Sequence, residues 1–226
     1  MAEAYLALED RAALYRALGD ERRLMIVDAL HHTDRPVGEL TGLATNLLAF
    51  HLKVLEDAGV IVRSISHGDA RRRYVTLNPA LASWLGERPQ LDRPVERALF
   101  VCTANPARSP LAAHLWQART GAPARSAGTR PADRVHPRAV EIARRRGLDL
   151  TAARPVAYHE VELRPELVVS VCDRAHEDEL ALVVPRLHWS IPDPVGFDDD
   201  AFEAVVGQLS TRIDRLARAA SQGAAA

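Results

Sequence analysis

The sequence predicts two domains of different class: an α+β winged helix-turn-helix at the N-terminus, and a three-layer α/β domain with a parallel sheet at the C-terminus. Three observations predict it. From Leu6 to about Leu77 the pattern is helical and then hairpin-like. From Arg97 onward short apolar strands alternate with longer helical stretches. The first of those strands, Ala98-Leu99-Phe100-Val101, meets the next helix through Cys102-Thr103-Ala104-Asn105-Pro106-Ala107-Arg108, a Cys-x5-Arg loop. Between the halves, periodicity breaks at Gly86, Pro89 and Pro94. The expected division is 1–88 for the first domain, 89–96 for a linker and 97–220 for the second, with a boundary near Gly86 to Pro94.

Composition narrows the class. A chain of 226 residues with 47% hydrophobic content can bury two cores. A formal net charge of -1 gives no global electrostatic footprint, so any nucleic-acid contact must come from a local basic patch. The two cysteines are far apart, and neither a signal-like N-terminus nor a long apolar span is present. A reducing cytoplasm is therefore expected, with cysteines reactive or buried and with no membrane partner. No internal repeat is visible, and the small-residue tail Ser221 to Ala226 is expected to fray.

In the first half, helices are expected over Glu9 to Leu18, Glu21 to His31, Val37 to Leu43 and Thr45 to Asp57, the last closed by Gly59. The segments Val60 to Ser66 and Ala70 to Leu77 alternate and are rich in β-branched residues, with His67-Gly68-Asp69 as the turn of a hairpin. Two short helices joined tightly at Ala44 and followed by a two-stranded ribbon place the second helix in the major groove of double-stranded DNA, with the wing beside the backbone. Arg63, His67, Arg71, Arg72 and Arg73 crowd onto that hairpin, where phosphate contact is their natural use; taken singly, such a run is equally a solvated edge strand.

Two stretches carry a resemblance: Ala17-Leu18-Gly19-Asp20-Glu21-Arg22-Arg23-Leu24, and Leu48-Ala49-Phe50-His51-Leu52-Lys53-Val54-Leu55-Glu56-Asp57-Ala58-Gly59-Val60-Ile61. Together they resemble the arsenical-resistance repressor (ArsR) family of dimeric winged-helix regulators. The resemblance implies a homodimer on an operator, with Thr45, Asn46, Ala49, Phe50 and Lys53 on the groove-facing side of the recognition helix. It also implies that Leu48, Leu52 and Leu55 are core, with His51 buried and hydrogen-bonded. Ala49 stands where many relatives carry serine. Members that sense metals carry cysteines or Asp/His pairs, whereas this half has no cysteine, and the adjacent His31-His32 do not face one another as i, i+4 ligands would. No metal site is expected.

In the second half, the expected order is helix Pro110 to Thr120, strand Ala124 to Ala127, helix Pro137 to Arg146, strands Leu167 to Val171 and Arg186 to Ser190, and helix Asp200 to Ala219. Parallel sheets of this kind keep ligands at the carboxyl ends of their strands, and Cys102, Cys172 and Asp193 all follow strands. The loop Thr103, Ala104, Asn105, Pro106, Ala107 with Ser109 is read as an oxyanion trap: backbone N–H groups and the helix N-terminus face the anion, and Arg108 binds two of its oxygens. The same field favours the Cys102 thiolate as nucleophile. Asp193, between Pro192 and Pro194 on a stiff loop, suits a general acid.

Leu99 to Pro110, Ser126-Ala127-Gly128-Thr129 and Asp193-Pro194 together resemble the low-molecular-weight protein tyrosine phosphatase superfamily, which includes a branch of arsenate reductases. The resemblance implies Cys102 as nucleophile, Arg108 as clamp, Asn105 and Ser109 as loop-shaping and thiolate-stabilising groups, and Asp193 as acid. Two departures bear on substrate: Val195-Gly196 replaces the usual aromatics, and the loop lacks a second cysteine. Cys172 lies about where the arsenate reductases carry a resolving cysteine, or is a small apolar residue at a strand end. No third cysteine follows, so a low-molecular-weight thiol or a Cys102–Cys172 disulfide replaces a three-cysteine relay; no other cofactor is implied. His136, His176, His188 and Trp189 are expected to pack or support, and Asp198-Asp199-Asp200 to start a helix. The leading reading is a DNA-binding regulator fused to an arsenate reductase-like enzyme of arsenic response, acting on a phosphate- or arsenate-like oxyanion. The alternatives are a phosphatase tethered to DNA, and an idle oxyanion or redox sensor that controls DNA binding.

Overall fold

The computed structural model describes residues 6–40, 44–81, 84, 85, 91, 94–178 and 180–222. The chain separates into two compact units, Met1–Ile65 with Arg71–Pro89, and Ser66–Ala70 with Gln90–Ala226. Positions 89, 90, 92 and 93 of the expected linker, most of the expected Gly86 to Pro94 boundary, positions 41–43 of the expected third helix, and 223–226 of the tail lie outside the described residues.

In the first unit, α1 (Leu8–Leu18) leads through Gly19 into α2 (Glu21–Ala29). Asp20 makes that start, its carboxylate accepting the N–H groups of Arg22 and Arg23 at 3.0 and 3.1 Å. α2 stops two residues before the expected His31: the N–H groups of Leu30 and His31 turn to the Val27 and Asp28 carbonyls, three residues back, and the last turn tightens. The chain then enters β1 (Arg35–Pro36), too short for any alternation to announce it. Where a helix from Val37 to Leu43 was expected there is a 3-10 turn, Val37–Glu39, ended by the extended backbone of Leu40.

α3 (Thr45–Asp57) has both expected ends. Its last carbonyls are closed by Gly59 N–H to Glu56 O at 2.9 Å and Val60 N–H to Leu55 O at 2.8 Å, with Gly59 at φ 68°. That 6→1 and 5→2 pair needs a left-handed residue, which glycine supplies without strain. β2 (Ile61–Ile65) and β3 (Arg73–Leu77) pair antiparallel, Arg63 opposite Val75, in a sheet of order β1-β3-β2. These strands are shorter than expected: Ala70 and Arg71 form a turn and Arg72 lies outside the ladder. Leu14, Ile26, Leu30, Leu52, Leu55 and Val75 fill the core between the helices and this sheet.

The second unit is α/β with a parallel four-stranded sheet. Its elements are β4 (Ala98–Cys102), α4 (Arg108–Thr120), β5 (Ala124–Gly128), α5 (Pro137–Arg145), β6 (Leu167–Ser170), α6 (Asp173–Glu177), β7 (Arg186–His188) and α7 (Asp199–Gln222). All strand pairs are parallel and the order is β5-β4-β6-β7. Every residue of β4 is buried, as a strand covered on both faces requires. α4 packs on β4 and β5 and against α7, α5 also meets α7, and α6 lies over β4 and β6. Phe100 anchors the interior, with ring centroids 6.2 Å from Trp116 and 6.1 Å from Trp189.

This strand order positions the site. The chain leaves β4 for β5 on one side and returns to β6 on the other, so the crevice of the sheet opens at the carboxyl end of β4, at Cys102. α6 was not expected; five residues give no apolar stripe to read. No described helix is long and apolar enough to cross a membrane.

Candidate active site and nucleic-acid interface

Cys102 is the last residue of β4 and Arg108 the first of α4, so the intervening loop is held at both ends by regular structure. Asn105 is the one non-glycine residue at positive φ among those described, at 54°. Asparagine tolerates this conformation better than most residues, and here its side chain is also fastened. Its Nδ2 donates to Ser109 Oγ at 2.7 Å, and its Oδ1 accepts the Val156 N–H at 3.2 Å. Ser109 Oγ in turn lies 3.0 Å from Cys102 Sγ and 3.3 Å from the Ala127 carbonyl.

The loop carbonyls are bound from outside. Thr129, Arg130, Ala132 and His136 donate their N–H groups to the carbonyls of Cys102, Thr103, Ala104 and Pro106 at 3.2, 2.8, 2.8 and 2.7 Å. These four bonds engage the loop's carbonyls and not its amides, which an anion nest would need. The segment can pass this closely because of Gly128, where a Cβ would meet Thr103 O at 2.8 Å.

Burial pushes the Cys102 thiol up, and the neighbouring Cys172 adds to it, while Arg108 and the Ser109 hydroxyl and N–H pull it down. Arg108 and Ser109 act in the direction expected of the loop, and burial outweighs them. Cys172, also buried, is the N-cap of α6: its sulfur accepts the Ala175 N–H at 3.4 Å and lies 3.4 Å from Thr103 Oγ1. Both cysteines are free thiols.

Arg108 is buried and donates from Nη1 to the Ile191 carbonyl at 3.0 Å and from Nη2 to Asp193 Oδ2 at 2.7 Å. Asp193 is half exposed, and its Oδ1 accepts the Val195 N–H at 3.1 Å. Beside Cys172, Asp173 is buried with its Oδ1 3.1 Å from His188 Nε2. Burial works against that carboxylate, yet hydrogen bonds, led by that of His188, hold it below the usual range. His188 Nδ1 lies 3.0 Å from Ser170 Oγ, and its ring stacks on His176 at 4.1 Å. His136 caps α5 and stacks on Phe202, Trp189 is core, and Asp198 accepts the Ala201 N–H at 3.1 Å at the start of α7.

In the first unit, Leu48, Leu52 and Leu55 form the buried stripe of α3, while Thr45, Asn46, Ala49, Phe50 and Lys53 are exposed. His51 is buried, but its ring nitrogens have no hydrogen-bond partner among the described residues. Asp20, 3.8 Å from Nδ1, is turned instead to cap α2. Lys53 pairs with Asp57 at 3.0 Å. Arg63, Arg71, Arg72 and Arg73 are exposed and, with Pro36 to Glu39, line a cleft of about 480 Å³. Arg63 is also hydrogen-bonded to Glu56, whose carboxyl it holds below the usual range. His67 is exposed and falls in Ser66–Ala70, which groups with the second unit. His31 and His32 lie past the end of α2, and no cluster of three or more His, Cys, Asp or Glu among the described residues could hold a metal ion.

Residues 97–224 match the model of the low molecular weight phosphotyrosine protein phosphatase family. The chain belongs to that family. Among solved structures similar to it is the arsenate reductase from Archaeoglobus fulgidus DSM 4304, 32% identical, covering 54% of this chain and 98% of that one with a TM-score of 0.50. Another is the tyrosine phosphatase Wzb from Escherichia coli K30 in complex with sulphate, 22% identical, covering 55% and 97% with a TM-score of 0.48. A further 72-residue stretch is 32% identical to the uncharacterized HTH-type transcriptional regulator YceK of Bacillus subtilis (strain 168), over 30% of this chain and 69% of that protein. The chain thus joins a phosphatase-family domain to a distant homologue of an HTH-type regulator.

Two parts of the phosphatase-family site escape sequence reasoning. The amide clamp of residues 129 to 136 uses backbone groups, which leave no side-chain signature beyond Gly128. The Asp173–His188 pair joins residues from two elements, with no spacing to suggest it.

Proposed function

We infer that this chain is a homodimeric, operator-binding regulator of the arsenical-resistance repressor type that carries a cysteine-dependent oxyanion enzyme of the arsenate reductase kind. The observation that carries the reductase half is the second buried thiol at the Cys102 site, its sulfur 3.4 Å from the hydroxyl of the next loop residue, Thr103. Phosphoester hydrolysis needs one thiol; reduction of arsenate needs two electrons, which a second thiol supplies. The 32% identity to an arsenate reductase supports the same reading.

In this mechanism the loop amides and Arg108 hold arsenate over Cys102. The thiol gives its proton to the bound dianion and its sulfur attacks arsenic. Asp193 protonates the departing hydroxyl, which leaves as water, and Cys102 is left as a thiol-arsenate adduct. Cys172 then attacks Cys102 Sγ: a disulfide forms, the sulfur–arsenic bond breaks with its electron pair going to arsenic, and arsenite departs with the Cys172 proton. A low-molecular-weight thiol reduces the disulfide, since the sequence contains no third cysteine. Asn105 and Ser109 shape the loop.

On the DNA side, Thr45, Asn46, Ala49, Phe50 and Lys53 face the groove, and Arg63, His67, Arg71, Arg72 and Arg73 take phosphates. Arsenite production with added thiols, assayed beside aryl-phosphate hydrolysis, tests the enzyme. Arsenite formation lost in Cys172→Ser supports the reductase. A second reading rests on Asp193, placed against Arg108 as an acid for a phosphoester: brisk aryl-phosphate hydrolysis that survives Cys172→Ser and is lost in Asp193→Ala makes the chain a phosphatase. No turnover of either substrate, with operator release altered in Cys102→Ser, makes it a sensor.

A further inference from the structure

The carboxylate assigned as acid is already engaged in the resting site. Asp193 Oδ2 accepts from Arg108 Nη2 at 2.7 Å, and the Ile191 carbonyl accepts from Nη1 at 3.0 Å. A guanidinium carries five N–H donors in one rigid plane. These two bonds use one proton on each terminal nitrogen, and fixing them fixes the direction of the other three. Arg108 opens α4 at the far end of the loop that begins at Cys102, and its charge pulls the Cys102 thiol down, so one guanidinium serves both the acid loop and the nucleophile. Arg108 itself is buried, whereas the loop that holds it is stiffened by Pro192 and Pro194 and pinned again by Val195 N–H to Asp193 Oδ1.

The geometry points to a second role for this loop: Asp193 and the Ile191 carbonyl bracket the guanidinium of Arg108 so that its remaining N–H edge meets the oxyanion, which makes Asp193 a determinant of oxyanion affinity as well as an acid. The inference rests on the reading of the Cys102 loop as an oxyanion enzyme. The two roles are compatible. When Asp193 gives its proton to the leaving oxygen, the electron pair stays on its carboxylate, and Arg108 lies against that charge as it forms. A carboxylate that simply occupied the anion's place on Arg108 would have the opposite effect on affinity, and that sign is measurable.

The test is inorganic phosphate binding by calorimetry to the full-length protein, in wild type, Asp193→Asn and Asp193→Ala. Asparagine keeps an oxygen for Nη2 but has no acid proton to give; alanine removes both. Phosphate affinity is expected to fall about tenfold in Asp193→Ala and about threefold or less in Asp193→Asn. Turnover of a phosphoester with a poor leaving group is expected to fall in both. Equal phosphate affinity in all three proteins overturns the bracket and leaves Asp193 as acid alone. Tighter binding in Asp193→Ala also overturns it, by showing competition for Arg108. Should Asp193→Ala fail to fold, as thermal melting would reveal, Asp193→Ser gives the same reading. Phosphate binding that follows the expected order in a protein that turns over neither arsenate nor phosphoester sinks the enzyme reading and leaves the bracket standing.

Discussion

The loop over Cys102 and the exposed face of α3 are built in opposite ways. Around Cys102, the residues Asn105, Arg108 and Ser109 are all buried, and each is tied by hydrogen bonds to a named neighbour. On α3, by contrast, Thr45, Asn46, Ala49, Phe50 and Lys53 all face outward. A chemical site must hold its groups to fractions of an ångström, so it recruits the interior of the fold. A reading surface must leave its groups available to another molecule, so the fold supplies only the platform. The first kind of site is damaged by losing internal contacts, and the second by losing outward charge.

The largest expected effect is that of Cys102→Ser. With the nucleophile gone, turnover of arsenate and of aryl phosphate is expected to fall at least about a thousandfold. Operator affinity, measured by fluorescence anisotropy, should stay within about twofold if the buried site and the reading surface act independently. A large change in operator affinity breaks that independence and favours the sensor reading.

Asn105→Ala sharpens the contrast from inside the loop. It removes the donor to Ser109 and the acceptor for Val156, and places alanine at a φ of 54°. A lost buried hydrogen bond costs about 1–3 kcal/mol, so kcat/KM is expected to fall about 10- to 100-fold with a lower melting temperature. An unchanged kcat/KM would show that the loop keeps its shape without this residue.

The same contrast explains what was legible in advance. Elements with explicit ends were readable: α3 is closed by Gly59 and α5 opens on Pro137, and β4 is an unbroken apolar run. Elements too short for a period were not: β1 has two residues, α6 five, and the 3-10 turn at Val37–Glu39 replaces a helix. In the candidate site, Cys102, Arg108 and Asp193 stand out in the sequence because the roles expected of them demand particular side chains, and the structure shows Arg108 bonded to Asp193. The positive φ of Asn105, the approach to Gly128 and the pairing of Arg63 with Glu56 depend on which segments become neighbours, and no local pattern encodes that.

For the exposed surface the expected effect is smaller and depends on salt. Arg71→Ala with Arg73→Ala removes two outward cations beside the 480 Å³ cleft. If each meets a phosphate, the slope of log affinity against log salt should flatten by about two. Arg63→Ala should change it less, because Glu56 already holds that guanidinium. An unchanged slope in the double variant would remove the wing from the DNA interface.

The smallest effect concerns the two thiols. Burial is the main force holding the Cys102 proton, and Cys172 is the next, through the repulsion of one thiolate by another. Cys172→Ser takes away that second charge and leaves burial in place. Alkylation of Cys102 by iodoacetamide should therefore set in at lower pH in the variant, while remaining slower than that of a free thiol because the sulfur is still buried. The sign follows from the cause: a like charge that penalises the Cys102 thiolate is gone in the variant, so its profile can move only toward lower pH. A coincident pH profile throughout would mean that the sulfurs do not feel one another, and would take Cys172 out of the chemistry of Cys102.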